Sequence, residues 1–259
     1  MNNVILATLT FFFLSQTLFA ATFSADDVMK KREAANRINQ MTASAKLSTK
    51  NKNGEEKIKE FTWWKKLSSD GVHFNTLTRF HVPVEVKNEG LLFLEHPGNQ
   101  NDVFMYLPVY KKIRRIESSA QSESFMGSTL SYSDISKPHL DDYKYKALRE
   151  EDGCYVVEAT PANSATKERT GYSKTVNWIR KDNYIETRAE FTNLEGKLWK
   201  KLMATEIKEI DTKEHKWLAH RLQVDDLLSG RSSIFQFKNV EANKEIPDSY
   251  FTQSNLSRE

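Results

Sequence analysis

From Met41 onward the chain alternates apolar and polar positions with a period of two, and turn residues interrupt the alternation at short intervals. The pattern predicts about eleven strands in sequential hairpins. Their segments are Met41–Lys50, Glu56–Lys66, Val72–Val82, Leu91–Glu95, Val103–Leu107, Tyr143–Arg149, Cys154–Ala159, Thr175–Arg180, Tyr184–Thr192, Lys197–Ile210, Trp217–Asp225 and Ser233–Phe237. Lys52-Asn53-Gly54, Lys181-Asp182-Asn183 and Asn193-Leu194-Glu195-Gly196 read as tight turns. Before the alternation begins, Ser24 is a good N-cap, and Asp26 and Asp27 suit a helix N-terminus. A helix is expected over Ala25–Gln40, with a thin apolar stripe of Val28, Ala35 and Ile38. A short second helix is expected near Ser119–Met126, and Glu245–Glu259 reads as loop or weak helix. So many antiparallel strands must curve, and one or two helices cannot sandwich so wide a sheet. The fold class is therefore mainly β (α+β): a strongly curved antiparallel sheet, or incomplete β-barrel, covered by an N-terminal helix and a short inner helix.

The first twenty residues carry no charge, and thirteen of them are apolar. The run ends in Leu18-Phe19-Ala20-Ala21, which reads as a secretory signal peptide over residues 1–20. Residues 21–259 then form one domain, because no linker or repeat divides them. The export reading places the protein in the periplasm, soluble after cleavage. Cys154 is the single cysteine. It can form no internal disulfide, and one thiol makes no metal site. The net charge of +3 is too small to imply nucleic-acid binding.

Catalytic constellations are sparse. The six histidines, His73, His81, His96, His139, His215 and His220, form no metal-ligand spacing. A Ser128–His139–Asp141 or Asp142 triad can be written down, but Phe125-Met126-Gly127-Ser128-Thr129 lacks the second glycine of a nucleophile elbow. Neither a metal nor a cofactor is expected.

One stretch does not read as ordinary core. Residues 106–135 begin on a strand whose Val103, Met105 and Leu107 share a face. They pass Pro108 and four cations, Lys111, Lys112, Arg114 and Arg115, and enter a Ser-rich run. Tyr106-Leu107-Pro108, Arg114-Arg115-Ile116, Phe125-Met126-Gly127-Ser128 and Ser131-Tyr132 together resemble the signature of the outer-membrane lipoprotein-sorting family, the LolA-like periplasmic carriers. Thr129 and Leu130 stand where that signature has Asp and Phe. Ser133 replaces an acidic residue, and Asp134 is retained. The resemblance implies an incomplete barrel closed by helices around a lipid-accepting cavity. It also implies a non-enzymatic carrier of lipid or lipoprotein acyl chains, an RND- or ABC-type inner-membrane exporter as donor, and an outer-membrane acceptor.

The residues suggest where such a site would lie. Phe61 and Trp63 share a strand face, as do Phe74 and Phe80. With Met105 and Leu107 they are either ordinary core or the lining of an acyl-sized cavity. Burying an acyl chain gains ~0.8 kcal/mol per methylene, so such a carrier needs little polar recognition. Phe125 is an isolated large apolar group in a polar run. It is expected as a plug beneath a flap that pivots at Gly127 and ends near Tyr132. Arg114 and Arg115 would contact a head group or a partner, or form surface ion pairs. A secreted β-rich esterase or lipase, and an interaction module without a ligand, are the alternative readings. The leader generates the first prediction. N-terminal sequencing of the periplasmic fraction should find a mature chain beginning near Ala21, and an intact Met1 in the membrane fraction would contradict it.

Overall fold

The computed structural model describes residues 23–96, 101–136 and 139–258; the expected leader, residues 1–20, lies outside the described residues. Thirteen antiparallel strands form one sheet. They are β1 (Gln40–Lys50), β2 (Glu56–Leu67), β3 (Phe74–Val82), β4 (Gly90–Leu94), β5 (Asp102–Leu107), β6 (Lys112–Ile116), β7 (Tyr143–Glu151), β8 (Cys154–Pro161), β9 (Tyr172–Arg180), β10 (Glu186–Asn193), β11 (Leu198–Asp211), β12 (Lys216–Asp226) and β13 (Arg231–Ala242). Their order across the sheet is β6-β5-β4-β3-β2-β1-β13-β12-β11-β10-β9-β8-β7. The chain thus starts in the middle, steps outward to one edge at β6, crosses to the opposite edge at β7, and steps back to the middle. The sheet curves but does not close, so β6 and β7 keep unpaired edges. Both edges are rich in Lys and Arg, which discourages pairing with another chain.

The helices are few. α1 (Ala25–Asn36) is capped by Ser24, whose hydroxyl accepts from the Asp27 N–H. Ala25, Val28 and Met29 pack on Val157 and Ile179 of β8 and β9. α1 ends four residues before its expected end, because Arg37 is already extended and Gln40 opens β1. The expected helix near Ser119–Met126 is instead two 3-10 turns, Ser118–Ala120 and Phe125–Gly127. The full α-helical turn follows at α2 (Tyr132–Ile135), where Ser131 and Asp134 form a reciprocal capping box. α3 (Ser164–Thr170) joins β8 to β9, and α4 (Gln253–Leu256) sits in the C-terminal tail.

Three differences from the expected strands have local causes. β6 was hidden by its charge: Lys112, Arg114 and Arg115 are exposed, so no apolar alternation marks an edge strand of five residues. It is the one strand without a counterpart among the twelve candidate segments, and the sheet has thirteen strands against the expected eleven or so. β10 begins at Glu186 because Tyr184 takes a left-handed conformation in the turn (φ 55°). β13 runs on to Ala242 because β1 pairs with it throughout, past a bulge at Thr42/Ser44.

Two faces of the sheet are buried. The concave side of β1–β5 and β13 holds Phe61, Trp63, Phe80, Leu91, Phe93, Val103, Phe235 and Phe237, packed with Phe125, Leu130 and Tyr132 from the β6–β7 connection. On the convex side, Leu77, Leu92 and Tyr106 are covered by Ile246, Phe251 and Leu256 of the tail. Arg79 secures that tail, donating to the carbonyls of Leu256 (2.8 Å) and Asn255 (2.9 Å). β7–β9 have their own convex cluster, in which Trp178 is overlaid by the Arg188 guanidinium at 4.1 Å.

The connection is anchored to α3 by a buried ion pair. Asp142 is fully buried and accepts from Arg169 at 3.0 Å. Removing one member strands a buried charge, whereas replacing both with apolar groups removes the desolvation cost as well. Asp142→Ala should cost ~3–5 kcal/mol in urea unfolding. Asp142→Leu combined with Arg169→Met should recover most of that loss. A single-variant cost below ~1 kcal/mol would show that the pair is not a structural anchor.

Candidate functional site

The connection crosses the hollow of the half-barrel and leaves a cavity of about 390 Å³ between itself, α1, strands β7–β13 and the facing parts of β2 and β3. The cavity exists because the concave face changes character there. On the β1–β5 side its residues are large and meet Phe125, Leu130 and Tyr132. On the other side Ala159, Ala204 and Ala219 are small, and Thr175 and Asn177 replace apolar bulk. Leu202, Leu218, Leu222, Val224, Phe235 and Phe237 line the rest of that wall, with Tyr172 and Phe191 beyond them. A mostly apolar, half-open space of this size matches ordinary small-ligand cavities.

Two polar clusters stand at its boundary, beside Glu33, Asn36, Arg37 and Lys65. Arg32 of α1 pairs with Glu186 of β10 at 2.9 Å, which ties the helix across the hollow. Opposite them, the Tyr172 hydroxyl donates to Asp134 at 2.9 and 3.0 Å, and Lys200 donates to the same hydroxyl at 3.0 Å. The Lys200 ammonium lies 3.5 Å from Asp134 and 4.2 Å from the Trp199 ring centre. Lys200 is only 3% exposed and so needs these partners. Burial and the adjacent Asp134 carboxylate hold the Tyr172 phenol well above its usual range. Burial pushes Tyr143 up to about 12 and raises Tyr145 as well. All three phenols stay neutral at physiological pH, so they add dipoles but no charge to the cavity wall.

The expected site residues fall in several places. Trp63 and Phe74 line the cavity. Phe61, Phe80 and Phe125 are buried in the adjoining core, with Met105 packed against them. Phe125 touches Tyr132 edge-on at 5.8 Å. Leu107 is half-buried where β5 meets its turn. Gly127 takes φ 79°, and its carbonyl accepts from Arg231 across the sheet end. Arg114 and Arg115 point to opposite faces of β6. Arg115 pairs with Asp102 (Nε to Oδ1 3.0 Å), and both arginines are exposed. Neither arginine lines the cavity.

The substituted signature positions have clear tasks. The Thr129 N–H donates to the Ser233 hydroxyl (3.0 Å), and the Thr129 hydroxyl donates to the Val224 carbonyl (3.0 Å). The retained Asp134 caps α2 and holds Tyr172. Ser133 shares a hydrogen bond with Ser131 at 2.9 Å. The Ser128–His139–Asp142 arrangement does not assemble. Ser128 donates to the Leu130 carbonyl, and the buried His139 Nε2 has no hydrogen-bond partner. Lys200, Tyr172 and the small alanines are the part of the site that sequence reading missed. Inward alternation at Leu202/Ala204 and Leu222/Val224 was visible, but nothing in one strand says which neighbours leave a void.

A family model described as "uncharacterized protein" matches residues 73–258. Among curated proteins none matches the sequence. Several solved structures are similar. A domain from Vibrio parahaemolyticus assigned to outer membrane lipoprotein sorting has 25% identity over 90% of this chain and 98% of its own, with a TM-score of 0.83. A DUF1329 family protein from Desulfovibrio piger has 28% identity over 90% and 97%, also at 0.83. A LolA superfamily protein from Nitrosomonas europaea, 18% identical over 90% and 100%, shares the fold at 0.71. By sequence the chain belongs to the family whose model covers residues 73–258, and by fold it stands among the LolA-like, outer membrane lipoprotein-sorting proteins.

Proposed function

We propose that the protein is a non-enzymatic carrier that holds lipid, or the acyl chains of a lipoprotein, in the cavity under the β6–β7 connection. In this reading it works in the periplasm, taking cargo from an inner-membrane exporter toward the outer membrane. The cavity itself carries the proposal: about 390 Å³, with a wall of Leu202, Leu218, Leu222, Val224, Phe235 and Phe237, and with neutral phenols and the Arg32–Glu186 and Lys200–Asp134 pairs at its boundary. Such a lining rewards methylene burial at ~0.8 kcal/mol per group and offers no activated nucleophile. The similarity to a lipoprotein-sorting domain supports the same role. Among the described residues no helix is long and apolar enough to cross a membrane.

The connection is the movable wall in this reading. Leu130, Ser133, Asp134 and Ile135 line the cavity from it, and Phe125 anchors it in the core. Lifting residues 118–131 exposes Phe125 at a cost of ~1.5–3 kcal/mol, which acyl burial exceeds. Arg114 and Arg115 stand on β6 just before this segment, placed to meet a head group or the exporter.

Filling the cavity tests the carrier reading. Ala204→Trp and Ala219→Trp should each weaken binding of a fluorescent fatty acid by roughly tenfold or more, since the inserted ring competes for the acyl volume. Phe80→Leu, in the core outside the cavity, should lower the melting temperature and leave affinity unchanged. Native mass spectrometry of the purified protein should show bound lipid. Absence of any lipid binding, or turnover of p-nitrophenyl esters, would defeat the proposal. Hydrogen exchange should show residues 118–131 changing protection on lipid binding while β1 and β13 do not, and equal protection in both states would make the segment a fixed wall.

A further inference from the structure

All the hairpin turns of the sheet fall at one end or the other, and the two ends differ. One end carries the turns β1–β2, β3–β4, β5–β6, β10–β11 and β12–β13, as the registers Lys50↔Glu56, Arg79↔Gly90, Leu107↔Lys112, Thr192↔Leu198 and Asp226↔Arg231 show. Those turns hold six of the twelve exposed large apolar side chains among the described residues: Val84, Val109, Tyr110, Leu194, Leu227 and Leu228. Val109 is 83% exposed, Val84 78% and Tyr110 68%. Among the described residues, the turns at the opposite end show one such side chain, Val72. Isolated exposed apolar residues are ordinary; their collection along one rim is not.

Charge follows the same rim. Lys111 and Lys112 come directly after Val109-Tyr110, Lys87 lies beside Val84, and Lys52 occupies the β1–β2 turn, all exposed. Glu55 and Glu56 beside Lys52, and Glu85 and Glu195 on other turns, interrupt the series, and Lys197 pairs with Glu195 at 2.9 Å. The cationic excess is therefore at the β3–β4 and β5–β6 corner, where two tips stand two strand spacings, about 10 Å, apart. The apolar groups are separate points on different turns. They offer no continuous groove to a folded partner, and their arrangement fits a fluid surface that each tip can enter alone. Tyr110 among lysines is the composition of a membrane–water interface.

We infer that this rim, led by Val84, Val109 and Tyr110 with Lys111 and Lys112, docks the protein on an anionic lipid bilayer. The inference does not depend on the cavity or its cargo. It explains the cationic tip of the signature stretch, which neither the core nor the cavity uses.

Co-sedimentation of the exported protein with vesicles, without added cargo, tests it. Vesicles of phosphatidylcholine with phosphatidylglycerol should bind the protein on the order of tenfold more tightly than phosphatidylcholine alone. Val84→Glu, Val109→Glu and Tyr110→Glu together should reduce binding to background while leaving the melting temperature and fluorescent fatty-acid affinity unchanged. Lys111→Glu with Lys112→Glu should abolish the preference for phosphatidylglycerol. Failure to sediment, equal binding to both vesicles, or undiminished binding by the triple variant would overturn the inference. A wild-type dimer that the triple variant dissolves, without vesicle binding, would assign the rim to self-association and overturn it equally.

Discussion

The molecule depends on one topological constraint: the strand that ends the first half of the sheet and the strand that begins the second lie on opposite edges. The chain between them must cross the hollow of an open barrel. A buried crossing has to satisfy its own backbone, and this one does so with tight backbone turns, such as Phe125 N–H to the Leu130 carbonyl and Tyr132 N–H to the Glu123 carbonyl, reinforced by side-chain bonds. Thr129 bonds Ser233 and Val224, Asp134 caps the Ser131 turn and takes the Tyr172 hydroxyl, and Asp142 takes Arg169. These contacts fix the height of the crossing above the sheet. That height determines the void beneath it.

The void is thus a property of two surfaces at once. On the β1–β5 side the crossing lowers Phe125, Leu130 and Tyr132 into a bed of Phe and Leu, and only Trp63, Lys65 and Phe74 of that side reach the cavity. On the β7–β13 side it presents Ser133, Asp134 and Ile135 to alanines, and space remains. The same division separates rigidity from capacity. The filled half holds the crossing in place, and the hollow half keeps the open volume.

Much of the architecture was legible because antiparallel strands write their burial into alternate positions. The alternation sets Phe61 and Trp63 opposite Trp64, and Val103 and Met105 opposite Phe104 and Tyr106, and the structure places them in different clusters. β6 was illegible because an edge strand facing solvent has no apolar period. The Ser-rich stretch announced an unusual segment, yet gave no sign that Phe125 would be fully buried in core. The cavity was the hardest part to read. Trp63 and Phe74 were visible as large apolar groups, but a void is made by what is missing. Ala204 and Ala219 carry no local mark of facing each other's emptiness across two strands.

The order of strands also bears on how the chain reaches this state. Every neighbouring pair in the sheet except one joins strands adjacent in sequence; the exception is β1 with β13. Each half can therefore zip up as a meander of local hairpins, with little loop-closure entropy at any step. The single long-range seam, from Met41↔Ala242 to Lys50↔Ser232, joins the two finished halves. A broad β-sheet of this kind has the loop-closure demands of two small ones, and its slow event is the meeting of the first strand with the last.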